Sequence, residues 1–165
     1  MRRVLSVLVE NEPGVLARIA GLFSGRNYNI ESISASPTQE PGVTHITITT
    51  TGDEIIFEQI VKQLRKLICV IKVVEFTNVK AVERALVFIK VHTDEGAKRG
   101  EVLRIAEIFR CKVVDVSLGD LTLEVTGDHA KIKAIVQLLQ TFGIKEMAYS
   151  GTVAMRRSMQ SPSEN

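Results

Sequence analysis

Aromatic side chains are scarce in this sequence: its 165 residues include six Phe, two Tyr and no Trp. Few platforms are therefore available for stacking bases, as sequence-specific binding of single-stranded RNA requires. An excess of one charge is missing too. The 21 basic and 19 acidic residues give a formal net charge of +2, which leaves no electrostatic footprint for a nucleic-acid partner. Only two cysteines occur, Cys69 and Cys111, too far apart in sequence for a CxxC redox pair or a metal knuckle, and both read as small buried hydrophobes. No apolar run approaches the length of about 18 residues that a membrane-spanning helix needs. Arg2 and Arg3 precede an apolar stretch, but it ends at Glu10 with no small-residue cleavage site, so a first strand is expected there and not a signal peptide. A cytoplasmic protein, or an organellar one after processing, is the expectation, with no membrane partner.

Catalytic and metal-binding patterns are equally thin. His45, His92 and His129 fall in three different elements, without a HxxxH spacing or a carboxylate cluster, and no metal is assigned. No nucleophile stands beside a base, so no catalytic residue is assigned and the chain is not expected to be an enzyme on its own. The segment Asp94-Glu95-Gly96-Ala97-Lys98-Arg99-Gly100 lacks the Walker pattern and reads as a polar loop entering a helix.

What is present is a core-forming composition, 45% hydrophobic and 24% charged, arranged twice in the same order. Residues 3–9 read as a central strand, and Val15, Leu16, Ile19, Leu22 and Phe23 mark one face of a helix whose first turn suits Pro13. Strands are expected at Tyr28 to Ala35 and Thr44 to Thr50. A helix carrying Ile56, Ile60, Leu64 and Leu67 should follow, then a strand from Val70 to Phe76. The order βαββαβ then restarts. Ala85 to Val91 is a strand, Val102, Leu103, Ala106 and Phe109 lie on a helix, and strands follow at Lys112 to Leu118 and Leu121 to Thr126. Ile132, Ile135, Val136 and Leu139 mark the last helix, with a final strand near Lys145 to Val153. The expected class is α+β, two tandem ferredoxin-like domains over 1–78 and 79–155 with a disordered tail over 156–165. In each domain two helices cover one face of a four-stranded antiparallel sheet, and dimerisation is a common solution for the other face. The RNA-recognition domain shares this order, but the first strands here supply Val, Leu, Ser and a single Phe, and the third His, Ile and Thr, so that reading fails.

The segment most suggestive of a ligand is Val9-Glu10-Asn11-Glu12-Pro13-Gly14-Val15-Leu16. A strand delivers the chain to a tight turn and a helix N-terminus, whose free N–H groups suit a carboxylate. Gly14 leaves room there, Glu12 suits an N-cap position, and the Asn11 amide can donate or accept. A plain turn into an amphipathic helix explains the same residues equally well.

That segment, from Arg3 to Leu16, together with Leu22-Phe23-Ser24-Gly25-Arg26-Asn27-Tyr28-Asn29-Ile30-Glu31-Ser32-Ile33, resembles the ACT-domain family of small-molecule-sensing modules. Over nearly the full chain the sequence resembles the acetolactate synthase small-subunit family, with weaker matches at Gln59 to Leu67, Glu107 to Arg110, Val114 to Val116 and Ser150-Gly151. Asn27 stands where the family typically has Gly, a change that Asn tolerates in a left-handed turn. The resemblance implies a regulatory subunit in branched-chain amino acid biosynthesis, a homodimer whose first, ACT domains pair edge to edge. Valine or a related branched-chain amino acid would bind between them for feedback inhibition. Asn11, Gly14, Val15 and Leu16 would hold the carboxylate and shape the pocket, with Asn29 and Ile30 supplied by the second chain. It further implies a large catalytic subunit that this chain activates and that carries thiamine diphosphate, Mg²⁺ and FAD, with no cofactor in this chain. The second repeat, which lacks the Asn-Glu-Pro-Gly turn, would make the contact with that subunit. A free-standing ACT-type amino-acid-binding regulator of another enzyme or transporter is the alternative.

Overall fold

A computed structural model of the chain describes residues 2–76, 81–93 and 96–157. The chain divides into two compact units, Met1–Val82 with Thr152–Asn165, and Glu83–Gly151. The expected boundary between residues 78 and 79 lies outside the described residues, as does most of the expected tail.

The first unit runs β1 (Arg2–Glu10), α1 (Val15–Ser24), β2 (Ile30–Pro37), β3 (Val43–Thr51), α2 (Glu54–Leu64) and β4 (Val70–Glu75). Its antiparallel sheet has the order β2-β3-β1-β4. Alternation along β1 explains its place: Leu5, Val7 and Val9 join Ile46 and Ile48 beneath the helices, while Val4, Ser6 and Leu8 occupy the intervening positions of the other face. Above the sheet lie Val15, Ile19, Leu22 and Phe23 of α1 and Phe57, Ile60, Val61 and Leu64 of α2. Ile56, expected on the core stripe of α2, packs at its margin because Phe57 and Val61 take its centre; Leu67, expected on the same helix, lies beyond its end at Leu64 and packs against the core from the following turn.

The second unit is built from β5 (Ala81–His92), α3 (Gly96–Ile108), β6 (Lys112–Val116), β7 (Asp120–Gly127), α4 (His129–Gln140) and β8 (Ile144–Tyr149), with sheet order β6-β7-β5-β8. Its core is a separate cluster that includes Val87, Ile89, Val91, Leu121, Leu123, Val125, Ile135 and Leu139. In α3 the inward stripe is Val102, Ile105 and Ala106, continued by Phe109 in the turn after it; Leu103, expected inward, falls off that stripe and is exposed.

The expected last strand is two. β8 ends at Tyr149, Ser150, Gly151 and Thr152 interrupt the ladder with Gly151 at φ 80°, and β9 (Val153–Arg156) pairs with β5. Arg156, expected to begin the tail, is therefore the last residue of a strand, and Arg157 Nε donates to the Ala81 carbonyl at 3.3 Å. Ala154 packs with Val4, Phe76, Val74 and Ala81, so the chain itself covers part of the sheet face expected to be bare.

Candidate functional site

The turn after β1 is pinned by backbone bonds. The Glu10 N–H donates to the Cys69 carbonyl at 2.9 Å and the Asn11 N–H to that of Gly42 at 2.7 Å. Gly14, at φ 85°, is the N-cap of α1, which corrects two expectations: Glu12 is not the N-cap, and Pro13 precedes the helix. A left-handed φ at the cap is what selects glycine here, and a Cβ at Gly14 would meet open space. No side chain caps this end and no acidic residue occupies its first turn. The N–H of Val15 reaches the Glu12 carbonyl only at 3.4 Å. By contrast Asp53 and Asp128 cap α2 and α4 through the N–H groups of Ile56 and Lys131. The start of α1 thus presents donors and a positive dipole end without a built-in acceptor side chain.

The structure brings four of the six expected site residues together here. Asn11 and Gly14 are exposed, and Leu16 stands half-exposed beside them. Val15 differs: its side chain is buried in the core, so its backbone is what it can offer a ligand. Asn29 and Ile30 lie elsewhere. Ile30 pairs with Thr50, and Thr50 with Arg3, whereas Asn11 follows Glu10 at the opposite end of β1. Seven residues of extended strand put about 20 Å between them. Thr50 Oγ1 donates to the Asn29 carbonyl at 2.6 Å, which holds the start of β2 in place.

The three histidines are dispersed. His45 Nε2 and Ser6 Oγ are 2.7 Å apart on the sheet face away from the helices. His92 Nδ1 lies 3.2 Å from Asp120 Oδ1, which Lys145 Nζ approaches to 2.7 Å. The hydrogen bond from Lys145, with a further one from His92, holds the Asp120 carboxyl below the ordinary carboxylate range. His129 opens α4. Among the described residues no three His, Cys, Asp or Glu side chains are grouped as metal ligands, and no helix is long and apolar enough to cross a membrane.

A cavity of about 510 Å³ on the outer face of the first sheet was not anticipated. Ser6, Leu8, Ser36, His45, Lys72 and Val74 contribute to its floor and Arg156 to its rim. Its signal in the sequence was the period-2 alternation itself, which places Ser6, Leu8 and His45 outward; the contribution of β9 carried no such signal.

Residues 5–72 match the model for an AHAS small subunit-like ACT domain, and residues 84–158 the model for the small subunit of acetolactate synthase. The acetolactate synthase small subunit of Aquifex aeolicus is 56% identical over 158 residues, covering 96% of this chain and 82% of that one. A probable acetolactate synthase small subunit of Methanothermobacter thermautotrophicus is 48% identical over 154 residues, covering 93% and 92%. The crystal structure of the acetolactate synthase small subunit from Thermotoga maritima is similar with a TM-score of 0.85 at 38% identity, over 97% of this chain and 99% of that one.

Proposed function

The chain belongs to the acetolactate synthase small-subunit family, and on that footing we propose that it is a homodimeric regulatory subunit which binds valine, or a related branched-chain amino acid, between two first units. The effector carboxylate would meet the uncapped start of α1, with Asn11, Gly14, Leu16 and the Val15 backbone around it. Asn29 and Ile30 of the second chain would face its ammonium group and side chain. One observation carries this reading: Asn29 lies about 20 Å from Asn11 along the same sheet, by the rise of a strand, so one chain cannot close the site alone. An antiparallel pairing of two β2 edges would complete it. That pairing sets the start of one β2 beside the end of the other, where Pro37 shares a row with Thr44 and Val9.

Occupancy of such a site changes dimer geometry by differential affinity, and that geometry governs how this subunit restrains or activates a separate catalytic subunit. The catalytic subunit, not this chain, would bring thiamine diphosphate, Mg²⁺ and FAD. The second unit offers it a surface in the exposed Val113, Val114, Val116 and Leu118, on and just after the edge strand β6.

The test is complementation between chains. L-valine, but not D-valine, raises the melting temperature of the wild-type chain saturably. Asn11→Ala and Asn29→Ala each abolish that rise, and mixed dimers of the two variants recover it at half the sites. Failure of the mixture to recover, or valine sensitivity in both variants, overturns the shared site. Co-purification with a thiamine-dependent large subunit separates this reading from a regulator of some other enzyme.

A further inference from the structure

The outer face of the first sheet holds a cavity that the proposed effector site does not use. One row of side chains crosses all four strands along its floor: Ser36 of β2, His45 of β3, Leu8 of β1 and Lys72 of β4. In the next row Ser6 and Val74 also line it, and between Ser6 and Ser34 sits Thr47, 1% exposed, with no hydrogen-bond partner for its hydroxyl. The loop Pro37 to Glu40 forms one wall, and Ala154, Met155 and Arg156 of β9 another, all within the same compact unit.

Its chemistry is two-sided. Leu8, Val43, Val74 and Phe76 give an apolar lining, while Lys72 and Arg156 supply fixed positive charge against one acid among the described lining residues, Glu40. Among the described residues neither Lys72 nor Arg156 forms an ion pair. His45 is held in place by Ser6, and burial keeps its imidazole below the usual value, so it serves as a neutral hydrogen-bonding group near pH 7. A volume of about 510 Å³ is of the size that small-molecule sites have.

We propose that this cavity is a second ligand site, taking a small organic anion whose carboxylate or phosphate head lies between Lys72 and Arg156 and whose apolar body lies over Leu8, Val74 and Phe76. None of Asn11, Gly14, Val15, Leu16, Asn29 and Ile30 lines it. Occupancy ties β9 to the sheet, because Arg156 belongs to the one and Lys72 to the other.

The experiment follows the ring resonances of His45 and Phe76 in the full-length chain by NMR during titration with benzoate, phenyl phosphate and the neutral isostere benzamide. At least one anion is expected to shift both rings saturably, with benzamide at least tenfold weaker. The Lys72→Gln/Arg156→Gln double variant, altered only at exposed positions, weakens the anion at least tenfold. Benzoate alone identifies a carboxylate site, phenyl phosphate alone a phosphate site, and both the shared anion chemistry. Equal binding of benzamide, unchanged affinity in the double variant, or no shift with either anion overturns the proposal. Saturating L-valine leaves the titration in place, which separates this site from the effector site.

Discussion

The two repeats answer each other bond for bond. Where Asn11 N–H donates to Gly42 at 2.7 Å in the first, Thr93 N–H donates to Gly119 at 2.7 Å in the second; Glu10 to Cys69 at 2.9 Å is matched by His92 to Gly143 at 2.9 Å. Each central strand shifts register at the same place, between Leu8 and Val9 and between Lys90 and Val91. The turn after each first helix contains a left-handed residue, Asn27 at φ 57° and Arg110 at φ 53°, followed by bonds from Tyr28 to Phe23 and from Cys111 to Ala106. Clear differences lie at the helix starts and the edge strands. Gly14 caps α1 in a left-handed conformation, whereas Gly96, at the start of α3, has no positive φ. On the edge strands, β2 alternates Ser32, Ser34 and Ser36 while β6 exposes three valines. One frame occurs twice, with different edges and turns.

The largest expected effect tests whether that frame is two cores or one. Phe23→Ala in the first cluster should cost about 3–5 kcal/mol and Leu139→Ala in the second about 2–5 kcal/mol. Hydrogen exchange after Phe23→Ala should show lost protection in β1 and β3 with β5 and β7 retained, and the reverse pattern for Leu139→Ala. Equal loss in both repeats from either change would mean that the cores are thermodynamically one.

A smaller effect of opposite sign sharpens the contrast at the helix starts. Gly14→Ala forces a Cβ into a left-handed conformation and should destabilise by about 1–2 kcal/mol. Gly100→Ala, inside α3 with open space around it, should stabilise by about 0.5–1 kcal/mol. A denaturation midpoint that rises for Gly14→Ala as it does for Gly100→Ala would show that the turn conformation of Gly14 is not what selects glycine.

Much of this was legible in the sequence because it follows from periodicity. The alternation in β1 and β3 and the stripe in α1 gave the order βαββαβ twice, and Asn27 in place of Gly anticipated a left-handed residue that the fold places at φ 57°. What stayed hidden depends on tertiary choice. Leu103 and Ile105 are both apolar, and only packing decides which turns inward. Glu12 looked like a cap because it precedes proline, but the chain needs the left-handed turn first and takes it at Gly14. The return of β9 to the first unit joins residues some 150 apart in sequence, as the bond from Arg2 to Thr152 illustrates, and nothing local to residues 153–156 encodes it. The proposed effector residues stood out as a motif, and Val15 sits on the apolar helix face where its spacing put it; the distance from Asn11 to Asn29 was not legible.

The smallest effect tests the outer face, where the first repeat places a histidine at a position that is not titratable in the second. Register places Leu8 opposite His45 in the first sheet and Lys90 opposite Thr122 in the second, so a threonine holds in one repeat the place that histidine holds in the other. Burial holds the His45 imidazole below its ordinary value of 6.5, with Lys72, Arg156 and Glu40 lining the same cavity and the Ser6 hydroxyl against the ring. A histidine whose folded value is depressed releases stability to the unfolded state on protonation. The contribution is therefore complete above pH 6.5 and is lost as pH falls below that value towards the folded one. The denaturation midpoint of the wild-type chain should accordingly fall between pH 7.5 and 5.5 more steeply than that of His45→Thr, which gives the first repeat the residue of the second. Parallel profiles would leave His45 a bystander, whereas a flatter profile in the variant would locate on this face a penalty that the second repeat avoids.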